Sequence, residues 1–108
     1  MSIRRIWHGW TTPENADLYQ ELLHREIFPG IEAKEIEGYR SVELFRREHQ
    51  DEVEFMTLMT FDSIEDVIDF QGPDYEKSYV PAAAKKLLSR WDKKASHFTA
   101  IEKRNYRL

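Results

Sequence analysis

The chain has 108 residues, of which 41% are hydrophobic and 33% are charged, with a formal net charge of −4. This length fits one domain with a single thin core, and an aromatic content of 13% is too high for a disordered segment. The sequence contains no cysteine, which excludes disulfides, thiol catalysis and zinc–thiolate sites, and its interspersed charges argue against a nucleic-acid surface.

The chain also lacks the signals of membrane or secreted proteins. No apolar run approaches the length of a membrane span, and the first residues lack the apolar core of a signal peptide. We therefore expect residues 1–108 to form a single cytoplasmic domain that binds neither nucleic acid nor a membrane.

The first half of the chain predicts a strand, a helix and a hairpin. Bulky and aromatic side chains over residues 3–10 are typical of a strand. The segment "TTPENADLYQELLHREIF" predicts a helix, because Thr12–Pro13 forms a good helix start and apolar residues then recur at helical spacing. We expect Pro29–Gly30 to end it. The segments "GYRSVELFRRE" and "VEFMTLMTF", joined by the polar turn "HQDE", predict a hairpin over 38–61.

The second half predicts two helices and a last strand. Ser63 can cap a helix over "DSIEDVIDF", which Gly72 and Pro73 interrupt. A further helix is expected over "DYEKSYVPAAAKKLLSRWD", residues 74–92, with a kink before Pro81. The segment "SHFTAIEKR" predicts the final strand. The order is β-α-β-β-α-β, an α+β, ferredoxin-like plan with a four-stranded antiparallel sheet.

The predicted strands are apolar on both faces, although two helical segments can cover only one face of the sheet. The opposed sets are Ile3 and Trp7 against Ile6 and Trp10, Val42 and Leu44 against Tyr39 and Phe45, and Val53, Phe55, Met59 and Phe61 against Met56 and Leu58. The second face needs a cover, and the simplest one is another copy of the chain. We therefore expect a homodimer packed sheet against sheet.

Two histidines are candidates for acid–base chemistry. His8 and His97 lie on the first and last strands, which are neighbours in this plan, and an imidazole in an aromatic setting can serve as a general base. The alternative is a packed imidazole bonded to a backbone carbonyl, or, for His97, one exposed at the start of its strand. Because no H-x-H, H-E-x-x-H or carboxylate cluster is present, we expect no metal site.

Several aromatic residues are candidate binding groups. Tyr75 and Tyr79 are four residues apart and would share a helical face, where they could bind a hydroxylated aromatic or donate a proton to an oxyanion. They could equally close the helix against the rim of the sheet. Strand alternation places Trp10 on the same side as His8 and sends Trp7 to the other side.

The stretches "IRRIWHGWTTPENA", "VEFMTLMTFDSIEDVIDFQGPDYEKSYVP" and "LSRWDKKASHF" resemble the antibiotic-biosynthesis-monooxygenase-like family of dimeric α/β barrels. The resemblance covers nearly the whole chain. It implies a site between the sheet and the helices of one subunit, and activities that include cofactor-independent oxygenation of aromatics and haem degradation. The chain has no histidine between Phe61 and His97, so it departs from the haem-degrading pattern.

With that resemblance, the sequence leads to two hypotheses. The first is a cofactor-independent monooxygenase-like protein that acts on a small aromatic or hydrophobic metabolite. His8 would be its base, and Tyr75 or Tyr79 would orient the substrate. Its pocket would be formed by Trp10, Phe61, Trp91 and His97. The alternative is a non-enzymatic dimer that binds a small ligand or has only a structural role.

Overall fold

The computed structural model describes residues 2–107, and its centre is one antiparallel sheet. The strands are β1 (Ile3–Thr11), β2 (Tyr39–Glu48), β3 (Val53–Phe61), β4 (Leu88–Trp91) and β5 (Ser96–Thr99). Their order is β2-β3-β1, and the short strands β4 and β5 lie on the outer edge of β1. The helices are α1 (Pro13–Leu22), α2 (Phe28–Glu32), α3 (Ile64–Gln71) and α4 (Ala82–Leu87), and a π-helical turn, Leu23–Ile27, joins α1 to α2. This order confirms the α+β, ferredoxin-like plan.

The sheet has five strands instead of the expected four, because β4 and β5 share the position beside β1. β5 pairs with Ile3–Ile6, and β4 pairs with Gly9–Thr11. Between them the His8 N–H donates to the Asp92 carboxylate at 3.0 Å, and the Asp92 N–H donates to the His8 carbonyl at 2.9 Å. A side chain thus replaces one link of the backbone ladder, and the edge strand is interrupted there.

The two central strands alternate strictly between a covered and an open face. Every odd-numbered residue of β1 and β3 is buried, and every even-numbered residue is half-buried. The helices pack on the covered face, where the buried aromatic residues include Trp7, Phe55 and Phe61. The expected separation of Trp7 from His8 and Trp10 is confirmed.

The long first helix continues past Pro29–Gly30, so the expectation that these residues end it was wrong. Thr12 caps α1 by accepting from the Asn15 N–H at 3.2 Å, as the sequence predicts. The π-helical turn then shifts the hydrogen-bond frame, and the Phe28 N–H donates to the Leu23 carbonyl. Pro29 therefore falls in the first turn of α2, where a missing N–H costs nothing.

The predicted helix over 74–92 was also wrong, since only Ala82–Leu87 is helical. The carbonyls of Tyr75 and Lys77 accept from the Arg5 guanidinium at 2.6 and 2.9 Å, so they bond across the fold instead of along a helix. The last residues of the predicted helix form β4 on the edge of β1. The final strand is shorter than predicted, because residues 100–107 have no regular secondary structure.

A bulge in β2 changes the face to which Tyr39 belongs. Tyr39 pairs with Phe61 and Ser41 pairs with Thr60, so Arg40 is an extra residue in the strand. Tyr39 consequently packs on the covered face, with its ring 5.3 Å from that of Phe61. The expectation that Tyr39 lies opposite Val42 was wrong for this reason.

Gly9 allows the Trp7 ring to lie against the sheet. A Cβ at Gly9 would lie 2.8 Å from the Trp7 ring and 3.1 Å from Leu88. We expect Gly9→Ala to lower the free energy of unfolding by about 1–3 kcal/mol through overpacking, measured by denaturant titration. Gly30→Ala is the matched control, because the added Cβ would have no atom within 4 Å. Since Gly30 lies in α2, this substitution should stabilise the chain by about 0.5–1 kcal/mol. Equal effects of the two substitutions would contradict this account.

Candidate functional site

A cavity lies between the covered face of the sheet and the helices, and we call it the sheet–helix cavity. Its walls are formed by residues of β1, β3 and the helices and by the segment that precedes α4. They are Arg5, Trp7, Tyr19, Leu23, Ile27, Phe28, Ile31, Thr57, Met59, Phe70, Tyr79, Val80, Pro81 and Ala84. The half-buried members Ile27, Phe28 and Tyr79–Pro81 mark its mouth.

The cavity is narrow inside and open at the mouth. It encloses about 460 Å³, a figure that includes solvent at the opening, whereas the centre of a water molecule can move through only about 30 Å³ of it. That inner space holds about two water molecules. A larger ligand must therefore widen the mouth, and the irregular segment ending at Val80–Pro81 is the part of the wall not held in a helix or strand.

Arg5 is the charged residue of this cavity. It points inward from β1 and is only 3% exposed. Its guanidinium donates to the Tyr75 and Lys77 carbonyls and lies 5.3 Å from the centre of the Phe70 ring. Burial lowers the pKa of Arg5 to about 10, so the side chain remains charged at neutral pH.

His97 is joined to Arg5, with 2.9 Å between Arg5 Nη1 and His97 Nε2. Because arginine carries only donors, Nε2 accepts and the proton of the neutral ring resides on Nδ1. Among the buried side-chain nitrogens and oxygens of residues 2–107, Nδ1 is the one that lacks a hydrogen-bond partner. The Tyr75 ring packs edge-on to His97, with 5.2 Å between the ring centres.

The two candidate tyrosines do not share a face, because the segment that carries them is not helical. Tyr79 lines the cavity, where its ring lies 4.9 Å from that of Phe70 and beneath the Lys34 ammonium. Tyr75 is outside the lining and contributes its carbonyl to Arg5. Of the two, Tyr79 is the one in position to contact a ligand in this cavity.

Two of the expected wall residues also lie outside the lining. Phe61 is fully buried in the core beside Phe70, with 5.8 Å between their ring centres. Trp91, at the end of β4, is half-buried and lies beneath the Lys93 ammonium at 4.0 Å. Phe61 therefore supports the cavity from behind, and Trp91 lines a separate surface hollow beside Val80.

His8 and Trp10 lie on the open face of the sheet and not in the sheet–helix cavity. Their rings are stacked with 5.9 Å between centres, and the Arg90 guanidinium covers Trp10 at 3.9 Å. His97 is paired with Arg5 and lies near the covered side, so the two candidate histidines lie on different sides of the sheet although their strands are neighbours. Alternation along β1 separates the two rings.

The His8 ring has the geometry of an oriented imidazole. Nδ1 lies 2.9 Å from the Asp92 carboxylate, whereas Nε2 lies 3.9 Å from Glu54, too far for a hydrogen bond. With Nδ1–H bonded to Asp92, Nε2 is left as the acceptor. The His8 side chain borders an open-face hollow of about 570 Å³, including solvent, whose other lining residues are Phe45, Arg46, Arg47, Glu54 and Met56.

Three polar residues of the cavity, Arg5, Tyr19 and Thr57, were not among the candidates from the sequence. Arg5 had a signal: it is a charged residue at an inward position of β1, between Ile3 and Trp7. Tyr19 belongs to the apolar stripe of α1, and nothing in the sequence separates a cavity-lining residue from a core residue there. Burial raises the pKa of Tyr19, which keeps its phenol neutral.

Within residues 2–107, no three histidine or carboxylate side chains gather in a way that would hold a metal ion. No helix of this part of the chain is long and apolar enough to cross a membrane.

Solved structures share this fold. A candidate antibiotic biosynthesis monooxygenase from Bacillus cereus is similar over 100% of both chains, with a TM-score of 0.69 and 11% identity. Rv0793 from Mycobacterium tuberculosis is similar over 97% of this chain and 100% of its own, with a TM-score of 0.66 and 18% identity. A dimeric ferredoxin-like protein from an uncultured marine organism is similar over 96% of this chain and 92% of its own, with a TM-score of 0.55 and 10% identity.

These likenesses confirm the expected resemblance to antibiotic-biosynthesis-monooxygenase-like proteins at the level of the fold. At such identities they establish the fold alone. No protein-family model matches the sequence, and a search of curated proteins found no match.

The environment of His97 makes folding depend on pH. Desolvation and the Arg5 charge lower the pKa of His97 below its usual 6.5, with Glu76 acting weakly in the opposite direction. The unfolded chain therefore binds this proton more readily than the folded chain. The resulting stability is complete above about pH 6.5 and is lost as the pH falls through the lower folded-state pKa.

We expect His97→Gln, whose amide oxygen can still accept from Arg5, to lose less stability than the wild type between about pH 7 and pH 5. The measurement is denaturant unfolding at stepped pH. His24→Gln, at an exposed position of the π-helical turn, is the control and should follow the wild-type curve. Parallel curves for the wild type and His97→Gln would show that His97 is not the group responsible.

Proposed function

We propose that this protein is a homodimer that binds a small aromatic or hydrophobic metabolite in the sheet–helix cavity and oxygenates it as a cofactor-independent monooxygenase. The observation that carries the proposal is the composition of the cavity wall. Trp7, Phe70 and Tyr79 provide flat aromatic surfaces, and most of the remaining lining side chains are apolar. Such a wall suits a planar, weakly polar compound.

The reaction requires an electron-rich substrate that reduces O2 directly. For an aromatic CH2 group, one oxygen atom becomes the ketone oxygen, the other leaves in water, and the electrons come from the substrate. The wall can help by excluding water and by stabilising the substrate anion that donates those electrons. The Tyr79 phenol lines the mouth, and in this proposal it orients a substrate hydroxyl.

The base role of His8 stays a prediction that concerns the other face of the sheet. Its Nδ1–Asp92 pair is typical of an oriented base, but its ring lies across β1 from the sheet–helix cavity. Only a compound bound on the open face, between two copies of the chain, would contact Nε2. Tyr75 and His97 likewise act on the cavity only through Arg5.

A second candidate function is binding without catalysis. Among the lining residues there is no histidine, aspartate or glutamate, so the described wall provides no ordinary general base. A small-molecule-binding dimer would need only the apolar enclosure. The two functions are separated by turnover, because both require occupancy of the same cavity.

Val80, at the mouth, provides a test of the proposed site. We expect O2 uptake by the purified protein, with electron-rich hydroxyaromatics as substrates, to fall by about tenfold or more in kcat/KM for Val80→Phe, which narrows the entrance. Val80→Ala widens the entrance and should keep or raise kcat/KM. Labelled oxygen from 18O2 should enter the product.

The outcomes distinguish the two functions. If Val80→Phe weakens the binding of these compounds and no variant takes up O2, the protein binds the ligand without catalysis and the enzymatic function is wrong. If kcat/KM is unchanged by both Val80→Phe and Val80→Ala, the sheet–helix cavity is not the site.

Support for the homodimer comes from the open face of the sheet. Cross-strand partners there include Ile6 with Leu58 and His8 with Met56, and their side chains are half-buried although no helix covers them. Phe45 and Phe98, 44% and 56% exposed, extend this surface on the two outer strands. These apolar side chains lie among charged ones such as Arg4, Glu43 and Arg47, and an exposed apolar patch with a polar rim is typical of an interface between subunits.

We expect sedimentation equilibrium at micromolar concentration to give twice the 13.0 kDa of one chain. Leu58→Glu places a carboxylate in the middle of the open face and should give the monomer mass, because a buried unpaired charge is costly. Leu18→Glu, at a 59% exposed position of α1, is the matched control and should remain dimeric. A wild-type monomer would contradict the proposed packing.

A further inference from the structure

Arg5 introduces a positive charge into a cavity whose other lining residues are uncharged. It extends inward from β1 with Ile3 and Trp7 as its neighbours on that face, and it is only 3% exposed. Removing a guanidinium from water is costly, so a buried arginine is normally paired with a carboxylate. The partners of Arg5 therefore decide whether its charge is balanced within the chain.

The described partners of Arg5 are all uncharged. Nη1 donates to the Tyr75 carbonyl at 2.6 Å and to His97 Nε2 at 2.9 Å, and Nη2 donates to the Lys77 carbonyl at 2.9 Å. No aspartate or glutamate within residues 2–107 forms a salt bridge with it. These bonds satisfy donors, but none of them brings the negative charge that would neutralise the guanidinium.

His97 adds no negative charge either. Since Nε2 accepts from Arg5, the imidazole is held as its neutral Nδ1–H tautomer, and a second proton would place two cations side by side. The Phe70 ring, 5.3 Å from the guanidinium carbon, contributes only the weak field of an aromatic face. None of these contacts neutralises the guanidinium. The other charged groups nearby are Glu76, which acts weakly on the pKa of His97, and Lys34, whose ammonium lies 4.7 Å from the centre of the Tyr79 ring at the mouth.

We propose that the ligand of the sheet–helix cavity is a small organic anion, a carboxylate or a phenolate, whose charged oxygen pairs with Arg5 while its apolar body lies against Trp7 and Phe70. This inference rests on the proposed function, because it takes the same cavity as the ligand site. It narrows the ligand from any small hydrophobic compound to one that carries a single negative charge.

A ligand that enters the cavity as an anion needs no general base in the wall. A phenol or an enol that ionises in solution can enter as its anion, and a buried cation then favours the anionic form over the neutral one. No proton needs to be removed inside the cavity. Arg5 would therefore contribute to the binding energy and would also keep the bound compound in its anionic form.

The test compares benzoate with benzamide, which have nearly the same shape and differ by one negative charge. Binding to the purified protein is followed by NMR at the indole N–H of Trp7, whose ring lines the cavity, in a zwitterionic buffer low in chloride. We expect benzoate to bind at least about tenfold more tightly than benzamide, since a charge-assisted pair is worth that much or more.

Substitutions at Arg5 show whether this residue is the cause. Arg5→Lys keeps the charge and should keep part of the preference, whereas Arg5→Met should abolish it. Arg4→Met is the matched control, because Arg4 lies on the open face and donates to the Ser2 hydroxyl, and it should bind as the wild type does. The circular dichroism spectrum of each variant establishes that it is folded.

A second probe, 4-nitrophenol, tests the phenolate arm and needs no variant. Its phenolate is yellow and its phenol is colourless, so absorbance reports the pKa of the bound compound directly. We expect that pKa to fall by about one unit or more on binding to the wild-type protein. An unchanged pKa, together with a preference for benzoate, would restrict the ligand to carboxylates.

The outcomes separate this inference from the proposed function. If benzoate and benzamide bind equally and Val80→Phe weakens both, the cavity is a ligand site and the anionic ligand is wrong. If neither compound binds and 4-nitrophenol is unaffected, both the anionic ligand and the proposed site are overturned. A preference for benzoate that persists in Arg5→Met would assign the selectivity to another residue and contradict the inference.

Discussion

The alternation of side chains along β1 is the constraint on which the rest of the structure depends. β1 pairs with β3 on one side and with β4 and β5 on the other, so its pleat is fixed by both edges. A shift by one residue would bring His8 into the core and expel Trp7. Because Arg5 and Trp7 face the helices while His8 and Trp10 face away, the single strand defines two chemically distinct surfaces.

Arg5 also contributes to the shape of the chain before α4. Its guanidinium donates to the carbonyls of Tyr75 and Lys77, and the same segment pairs with residues 93–95 through a β-bridge between Lys77 and Lys94, so its backbone groups bond across the fold and not along a helix. The irregular backbone that results carries Tyr79, Val80 and Pro81 to the mouth of the cavity. A buried ion thus has a structural consequence as well as an electrostatic one, and the cost of burying it is partly offset by these bonds.

The sequence was sufficient for the plan of the fold because local signals and tertiary packing agree over most of the chain. The Thr12 cap, the 38–61 hairpin and the period-two pattern of β1 and β3 all predicted what the structure has. Sequence reasoning failed where a distant side chain decides the backbone. The segment over 74–81 has helical spacing, but its Tyr75 and Lys77 carbonyls accept hydrogen bonds from Arg5, some 70 residues earlier in the chain.

The candidate site was less predictable than the fold for the same reason. Alternation correctly paired His8 with Trp10, but the sequence does not say which face of a two-sided apolar sheet the helices cover. Tyr75 and Tyr79 were grouped by a helical period that the backbone does not adopt. An inward arginine between Ile3 and Trp7 was the informative departure from the pattern, because a charge at a core position implies either a partner or a ligand.

The positions of Arg5 and His8 lead to a final distinction between the two faces. Asp92 accepts from both the backbone N–H and the Nδ1 of His8, and in doing so it bridges the gap where β4 ends and β5 has not begun. That bridging is a sufficient structural reason for the His8–Asp92 pair. Arg5 has no equivalent explanation, because two backbone carbonyls could be satisfied by a neutral donor without the cost of a buried charge. The structure therefore accounts for the His8–Asp92 pair but not for the positive charge of Arg5. For this reason we expect a ligand on the covered face.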